Sequence, residues 1–246
     1  MAGAGSRFAR AGYADPKPLI PIHGVPMIQL VIANLRPACD HRFIFVCQRA
    51  HVRDYELRSK FDRWAPGSEV VEIDGITDGA AVTVLKAEAF IDNDEPLMIA
   101  NSDQWVDMDI DDYLASLDGH DGLIMTMKDD DPKWSYVEFA QDGSIQRVVE
   151  KVVVSTEATV GIYNFARGAD FVRAARRMIA ENNRSNNEFY VAPAYDYLIA
   201  EGQDVVVHGV GDVSDVMFGL GIPDDLEHFL SLETSARAVE RIHARD

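Results

Sequence analysis

From Pro26 to Lys128 the sequence alternates apolar runs of two different periods, and that alternation restricts the chain to a few architectures. PMIQLVIANL (Pro26 to Leu35) carries apolar residues at helical spacing with proline at its start, whereas RFIFVCQ (Arg42 to Gln48) is a short β-rich run suited to a buried strand. The pattern continues through a charged helix near His51 to Ala65, the strand SEVVEIDG, a helix from Gly79 to Ile91, the strand PLMIANSD, a helix near Ile110 to Leu117 and the strand GLIMTMK. Strands alternating with helices predict a mixed, mostly parallel sheet with helices on both faces. The second half changes character: WSYVEFA, the turn QDGS and SIQRVVEK read as a β-hairpin, and Ala158 to Phe165 supplies another strand. Helices over Gly168 to Glu181 and Phe189 to Ala200, the strand DVVVHGV and a helix after Pro223, with Asp224 and Asp225 in its first turn, complete the reading. No repeat or linker interrupts it, so a single α/β domain over 1–246 is expected.

Composition bounds what such a domain binds. Its 246 residues are 47% hydrophobic, enough for an ample core, and its formal net charge is −18. An acidic surface repels nucleic acid and anionic membranes alike, so basic residues that serve an anionic ligand must be focused locally. Two cysteines, Cys39 and Cys47, give no disulfide or metal framework, and no apolar run approaches the roughly 18 residues of a membrane span. With no signal-peptide core at the N-terminus, a cytoplasmic protein is expected. Association into a homo-oligomer stays open.

The local focus of basic charge is the opening stretch MAGAGSRFARAGYADPKPL. Gly3 and Gly5 let backbone approach a ligand, so that amides from Ala2, Gly3, Ala4, Gly5 and Ser6 point at phosphate oxygens. Arg7 adds a bidentate guanidinium and Lys17 a point charge that Pro16 and Pro18 hold on extended backbone. A P-loop would need Gly-Lys-Ser/Thr and a dinucleotide fingerprint a third glycine where Phe8 stands. Instead Arg-Phe directly follows the glycines and Pro-Lys-Pro-Leu comes later. This G-x-G-x-R-F loop followed by P-K-P-L resembles the sugar-phosphate nucleotidyltransferases, and the resemblance runs over nearly the whole chain. It implies a nucleotide-binding fold of the glycosyltransferase-A (Rossmann-like) type. In that family an apolar strand runs into the loop, so a further strand is expected upstream of Met1.

Asn101-Ser102-Asp103-Gln104 follows the apolar run LMIA, where open α/β sheets place their ligands. Asp103 offers a hard carboxylate for Mg2+, which binds through one or two carboxylates and substrate phosphate oxygens; the alternative is a helix cap. The resemblance implies the metal role. Gln48, at a strand end, and Gly79 with Ala80, at a helix start, are candidates for the nucleobase, and Asp78 reads as the N-cap of that helix. On the acceptor side the family carries E-K followed by G-I-Y, matched here by Glu150-Lys151 and Gly161-Ile162-Tyr163, and a segment E-F-Y matched by Glu188-Phe189-Tyr190. The resemblance implies that Lys151 binds the acceptor phosphate, with Glu150, Gly161 and Glu188 around it.

One departure stands out. The family commonly has Asp-x-Gly-Thr-Pro, whose aspartate is a further metal ligand, where this chain reads Gly219-Leu220-Gly221-Ile222-Pro223. Either Asp103 serves alone, or another acid such as Asp212 or Asp215 compensates. The stretches NSDQ, DPKWSY and GLGIP resemble a capsule-associated branch of the family. The implied reaction passes a nucleoside monophosphate from a nucleoside triphosphate to a phosphorylated acceptor such as a sugar 1-phosphate, with Arg7 and Lys17 as the catalytic cations. A glycosyltransferase using a nucleotide-sugar donor and a catalytically silent nucleotide-binding regulator are the alternatives; two cations beside the glycine loop disfavour the first.

Overall fold

The computed structural model describes residues 1, 3 and 6–243. They form two compact units, one of Met1–Ile76, Asn101–Ile110 and Met217–Asp246, the other of Thr77–Ala100 and Asp111–Val216.

In the first unit the helix Met27–Asn34 buries Met27, Ile28, Leu30, Val31 and Ile32. Leu30 joins a core with Phe8, Ile22, Trp105, Phe218 and Phe229, in which the Trp105 ring centroid lies 5.9 Å from Phe218 and 5.7 Å from Phe229. The strands Ile44–Gln48 and Glu69–Ile73 pair in parallel, as a crossover helix between them requires. The single helix expected near 51–65 is two, Arg49–Asp54 and Leu57–Trp64, because Glu56 turns left-handed at φ 51° between them. Two strands of three residues, Gln104–Val106 and Met217–Gly219, form an antiparallel pair that the sequence pattern missed. The helix Pro223–Ser231 begins as expected, with proline and two aspartates in its first turn, and Glu233–His243 adds a helix not foreseen.

The second unit is built on a six-stranded sheet ordered Val205–Asp212, Gly122–Lys128, Glu157–Phe165, Ser135–Phe139 and Ile145–Glu150, with Leu97–Ala100 also on Glu157–Phe165. The expectation of a mostly parallel sheet is corrected here. Among the described residues only Ile44–Gln48 with Glu69–Ile73 and Gly122–Lys128 with Val205–Asp212 pair in parallel. The physical reason is the strand ATVGIYNF, whose residues Ala158 to Phe165 are all buried. A run apolar on both faces belongs at a sheet centre. It lies between Leu97–Ala100 and Gly122–Lys128 and runs opposite to both, so Tyr163 has Ile99 on one side and Ile124 on the other.

Helices pack at close range on this sheet and on each other. A Cβ on Gly122 would come within 2.8 Å of the Tyr195 ring, and one on Gly168, which opens the helix Gly168–Ala180, within 2.0 Å of the carbonyl oxygen of Ile91 at the end of the helix Glu88–Ile91. Tyr195 lies in the helix Ala194–Ala200, stacks at 4.6 Å on Phe165 and donates its hydroxyl to the carbonyls of Leu123 and Asn164 at 3.0 and 2.9 Å. That helix starts five residues later than the Phe189 of the sequence reading, since Pro193 lies at its N-cap. No helix among the described residues is long and apolar enough to cross a membrane.

The same helix is tied to the hairpin by Asp196, whose Oδ1 accepts the Val148 amide at 2.7 Å. Burial pushes this carboxyl up to about 6. A folded pKa above the unfolded value means that the native state binds more protons between about pH 4 and 6, so this group's contribution falls as pH rises through that window. Asp196→Asn keeps the acceptor and removes the charge. We expect it to be more stable than wild type at pH 8, on the order of 1–3 kcal/mol, and equal to it at pH 4, in urea melts across pH. A difference independent of pH would show that desolvation does not govern this group.

Candidate functional site

In the first unit Lys17 opens a single 3-10 turn, Lys17–Leu19, after the extended Pro16 (φ −62°, ψ 144°). Its Nζ donates to Asp103 Oδ2 at 2.7 Å, and both side chains are 24% exposed. The aspartate is held from its backbone side, where its carbonyl accepts the Leu220 amide at 2.8 Å. A Cβ on Gly221, just past the strand Met217–Gly219, would stand 2.7 Å from Asp103 Oδ2, closer than a side chain allows, whereas one on Gly219 would stand at an ordinary 3.4 Å from Asp225 Oδ2. Neither glycine has a left-handed φ, so Gly221 serves space rather than conformation. Gly219 ends the strand Met217–Gly219 and Gly221 lies beyond it, so Asp225, read from the sequence only as a first-turn acid, reaches the strand end two residues before the point that Asp103 reaches.

Lys17 also lines a cleft of about 260 Å³ with Gly3, Tyr13, His51, Tyr55 and Ser102. Ala2, Ala4 and Gly5 lie outside the described residues. Ser6 and Arg7 are exposed at the start of a short helix, Ser6–Arg10, which the reading of this stretch as a loop did not foresee and which Phe8 anchors in the core. Gln48 ends its strand as expected, and its amide nitrogen donates to the Gly75 carbonyl at 2.7 Å. Among the described residues no group of three or more His, Cys, Asp or Glu could hold a metal ion. A site here would rest on one or two carboxylates.

The second unit carries the remaining candidates. Gly79 (φ 124°, ψ 174°) caps the helix Ala80–Leu85, which corrects the reading of Asp78 as its N-cap. Asp78 instead accepts the Phe189 amide on its carbonyl at 2.8 Å and pairs its carboxylate with Arg184 at 3.3 Å. The Ala81 amide returns to the Phe189 carbonyl at 2.9 Å. A Cβ on Gly79 would sit 2.5 Å from the Phe189 nitrogen and oxygen, so only glycine admits this contact. Ala80 is exposed beside it.

Glu150 and Lys151 end the hairpin strand Ile145–Glu150. Glu150 accepts the Ser135 hydroxyl, its partner across the hairpin, and burial raises its pKa. Lys151 adopts a left-handed φ of 57°, and its Nζ donates to the Tyr190 hydroxyl at 2.9 Å. That bond raises the ammonium's pKa, and the fields of Glu150 and Glu188 add to it. Glu188 bridges to Ser185 through backbone. The structure thus brings Glu150, Lys151 and Glu188 together with Ser135 and Tyr190. Gly161 is different: it is buried within its strand at φ 92°, where the register shifts between Thr159 and Tyr163. Of the partners not read from sequence, Ser135 follows from the hairpin register opposite Glu150, whereas Arg184 carries no sequence signal.

Residues 1–207 match a family model described as nucleotidyl transferase. Among solved structures the chain is similar to a nucleoside-diphosphate-sugar pyrophosphorylase from Vibrio cholerae RC9, with 24% identity, 94% of this chain and 98% of that chain covered, and a TM-score of 0.81. It is similar also to the inositol-1-phosphate CTP transferase from T. maritima, at 16% identity, coverage of 98% and 93%, and a TM-score of 0.72. A Bacillus anthracis protein assigned as a glucose-1-phosphate thymidylyltransferase, solved with sucrose, matches at 18% identity, coverage of 92% and 89%, and a TM-score of 0.70. At these identities the likeness shows the fold, which is the expected α/β nucleotide-binding type. No curated protein matches the chain.

The two kinds of glycine should respond differently to alanine. Gly79→Ala meets backbone from a strained φ and should cost more than about 3 kcal/mol in denaturant melts. Gly221→Ala meets only the end of a carboxylate, so its stability should stay within about 1 kcal/mol of wild type. It should nonetheless displace Asp103 from Lys17, read as a shift of the Lys17 ammonium resonance. An unchanged resonance would mean that the glycine is not there for the carboxylate.

Proposed function

The chain belongs to the nucleotidyl transferase family, and we propose that it moves a nucleoside monophosphate from a nucleoside triphosphate to a sugar 1-phosphate. The observation that carries this reading is the half-buried pair of Lys17 and Asp103 beside the bare backbone at Gly221. An acceptor phosphate oxygen attacks the α-phosphorus in line, the bond to the bridging oxygen of the β-phosphate breaks, and pyrophosphate leaves with that electron pair. No covalent enzyme intermediate is needed. Catalysis is then positioning and charge neutralisation.

The residues divide that work. Lys17 exchanges Asp103 for an oxygen of the α-phosphate, and Arg7 with the amides near Gly3 and Ser6 holds the departing phosphates. Ala80, beside Gly79, offers the base and ribose nothing larger than a methyl group, with Gln48 as a further base candidate. Lys151 fixes the acceptor phosphate, and Glu150 and Glu188 meet sugar hydroxyls. Asp103 would hold Mg2+, which neutralises phosphate charge when bound, with Asp225 as our proposed second carboxylate. Such an ion fits one or two carboxylates whose remaining partners are water and phosphate. Cytoplasmic nucleotide pools would feed the reaction, and the stretches DPKWSY and GLGIP favour a product destined for surface or capsular polysaccharide.

The test offers each common NTP with Mg2+ and a panel of sugar 1-phosphates and measures pyrophosphate. Release that requires both substrates is expected. Lys17→Ala should lower kcat on the order of 10²-fold or more with an unchanged melting midpoint. Asp103→Asn should abolish Mg2+-dependent turnover, and Asp225→Asn should weaken Mn2+ binding by about tenfold in titrations without substrate. Binding of NTP with no pyrophosphate from any pair, or full turnover by Lys17→Ala, would defeat the reading.

A further inference from the structure

The segment from Glu181 to Tyr190 is a tight connection that would not hold its shape unaided. Asn182, Asn186 and Asn187 all take left-handed φ values, 52°, 49° and 64°. Such conformations cost free energy at non-glycine residues and persist where surroundings impose them. Backbone bonds between Ser185 and Glu188 close the turn around Asn186 and Asn187, and Arg184 holds Asn182 and Asn187. Its Nε donates to Asn182 Oδ1 at 2.8 Å, one terminal nitrogen donates to the Asn187 carbonyl at 3.1 Å, and the other to Asp78 Oδ2 at 3.3 Å. The guanidinium carbon also lies 4.1 Å from the Phe189 ring centroid. One planar group therefore ties both ends of the loop to the turn at Asp78 and Gly79.

That turn and the loop meet again through backbone, by the Phe189 amide on the Asp78 carbonyl and the Ala81 amide on the Phe189 carbonyl. The next residue, Tyr190, accepts the Lys151 ammonium at 2.9 Å. A continuous path of contacts runs from the turn assigned to the nucleotide, through Phe189 and Tyr190, to the lysine assigned to the acceptor. Side chains cannot intrude on it at Gly79, where a Cβ would overlap Phe189 backbone.

We infer that Arg184 is a positioning residue that couples nucleotide binding at Gly79 and Ala80 to acceptor binding at Lys151. The inference rests on the transferase reading above. A nucleotide that orders the turn orders Phe189 and Tyr190 with it, so Lys151 is held for the second substrate without further cost. Binding couplings are reciprocal, so the acceptor tightens the nucleotide by the same factor. Arginine suits the position because its planar fork reaches three acceptors and stacks on a ring at once, which a lysine point charge does not.

The experiment uses the full chain and unreactive substrates. Calorimetry first finds which of the α,β-methylene analogues of ATP, CTP, GTP, UTP and dTTP binds. Glucose 1-phosphate, and inorganic phosphate as the minimal probe of Lys151, are then titrated with and without that analogue at saturation. In wild type the analogue should tighten the acceptor probe by about tenfold, and the probe should tighten the analogue equally. In Arg184→Gln the factor should fall below about threefold, while each ligand alone binds within about threefold of wild type and the melting midpoint barely moves. Arg184→Lys should fail to restore the coupling, and Asp78→Asn, which leaves the Phe189 stack, should keep part of it. A coupling factor that survives both arginine substitutions, or is absent in wild type although both probes bind, overturns this inference alone. Absence of binding by every probe to wild type overturns the transferase reading and this inference with it.

Discussion

A chain with a formal net charge of −18 can hold a polyphosphate only where cations are fixed against its own field. Three of its basic residues are fixed, each by a different kind of partner. Lys17 sits on the Asp103 carboxylate, Lys151 on the Tyr190 hydroxyl, and Arg184 on the Phe189 ring and Asp78. These contacts remove much of the entropy that a long cationic side chain would otherwise lose on meeting a ligand. They also differ in how readily they are given up. An ammonium on a carboxylate is exchanged when a phosphate competes, whereas a guanidinium stacked on a ring and bonded to three acceptors stays where it is.

Glycine does the complementary work of leaving room. At Gly221 the missing side chain admits the Asp103 carboxylate; at Gly122 and Gly168 it admits a ring and a carbonyl; at Gly79 it admits the backbone of Phe189. The first case is soft, since a carboxylate can move. The others are hard, because sheet, helix or turn would have to move instead. At Gly219, where the family commonly has an aspartate, the atom a Cβ would meet is also an acid's: Oδ2 of Asp225, from the first turn of the following helix, at an ordinary 3.4 Å.

What the sequence made legible follows from how local each cause is. Long periodic runs such as Gly168–Ala180 and the buried strand Glu157–Phe165 declare themselves, because burial of one face or of two leaves its period in the residues. Gln104–Val106 and Met217–Gly219 are too short to show a period, and their pairing spans the chain. The helix Ala194–Ala200 starts late with Pro193 at its N-cap, and before it the amide and carbonyl of Phe189 are committed to the turn near Gly79, a pairing across the chain that no local pattern records. Among the candidate residues, types and short motifs were readable, so Lys17, Asp103, Glu150, Lys151 and the segment Glu188-Phe189-Tyr190 could be named. That Tyr190 meets Lys151 and that Arg184 meets Asp78 was not, because partnership is a property of the folded chain.

Glu150 shows why partners matter more than types. A carboxylate next to the lysine meant for a phosphate would repel that phosphate if it stood free. Here it is largely buried, accepts the Ser135 hydroxyl and titrates higher than an ordinary glutamate, so its charge is both oriented and easier to suppress. Its field in turn helps to keep Lys151 protonated, together with the Tyr190 bond. The net result is a cation that stays charged at any physiological pH and is presented from a strained backbone, φ 57°, away from its own strand. An isolated Glu-Lys dipeptide on a strand end would be a surface ion pair worth little. The hairpin register that sets Ser135 opposite Glu150 and the loop that brings Tyr190 to Lys151 give the same two residues partners that such a pair would lack.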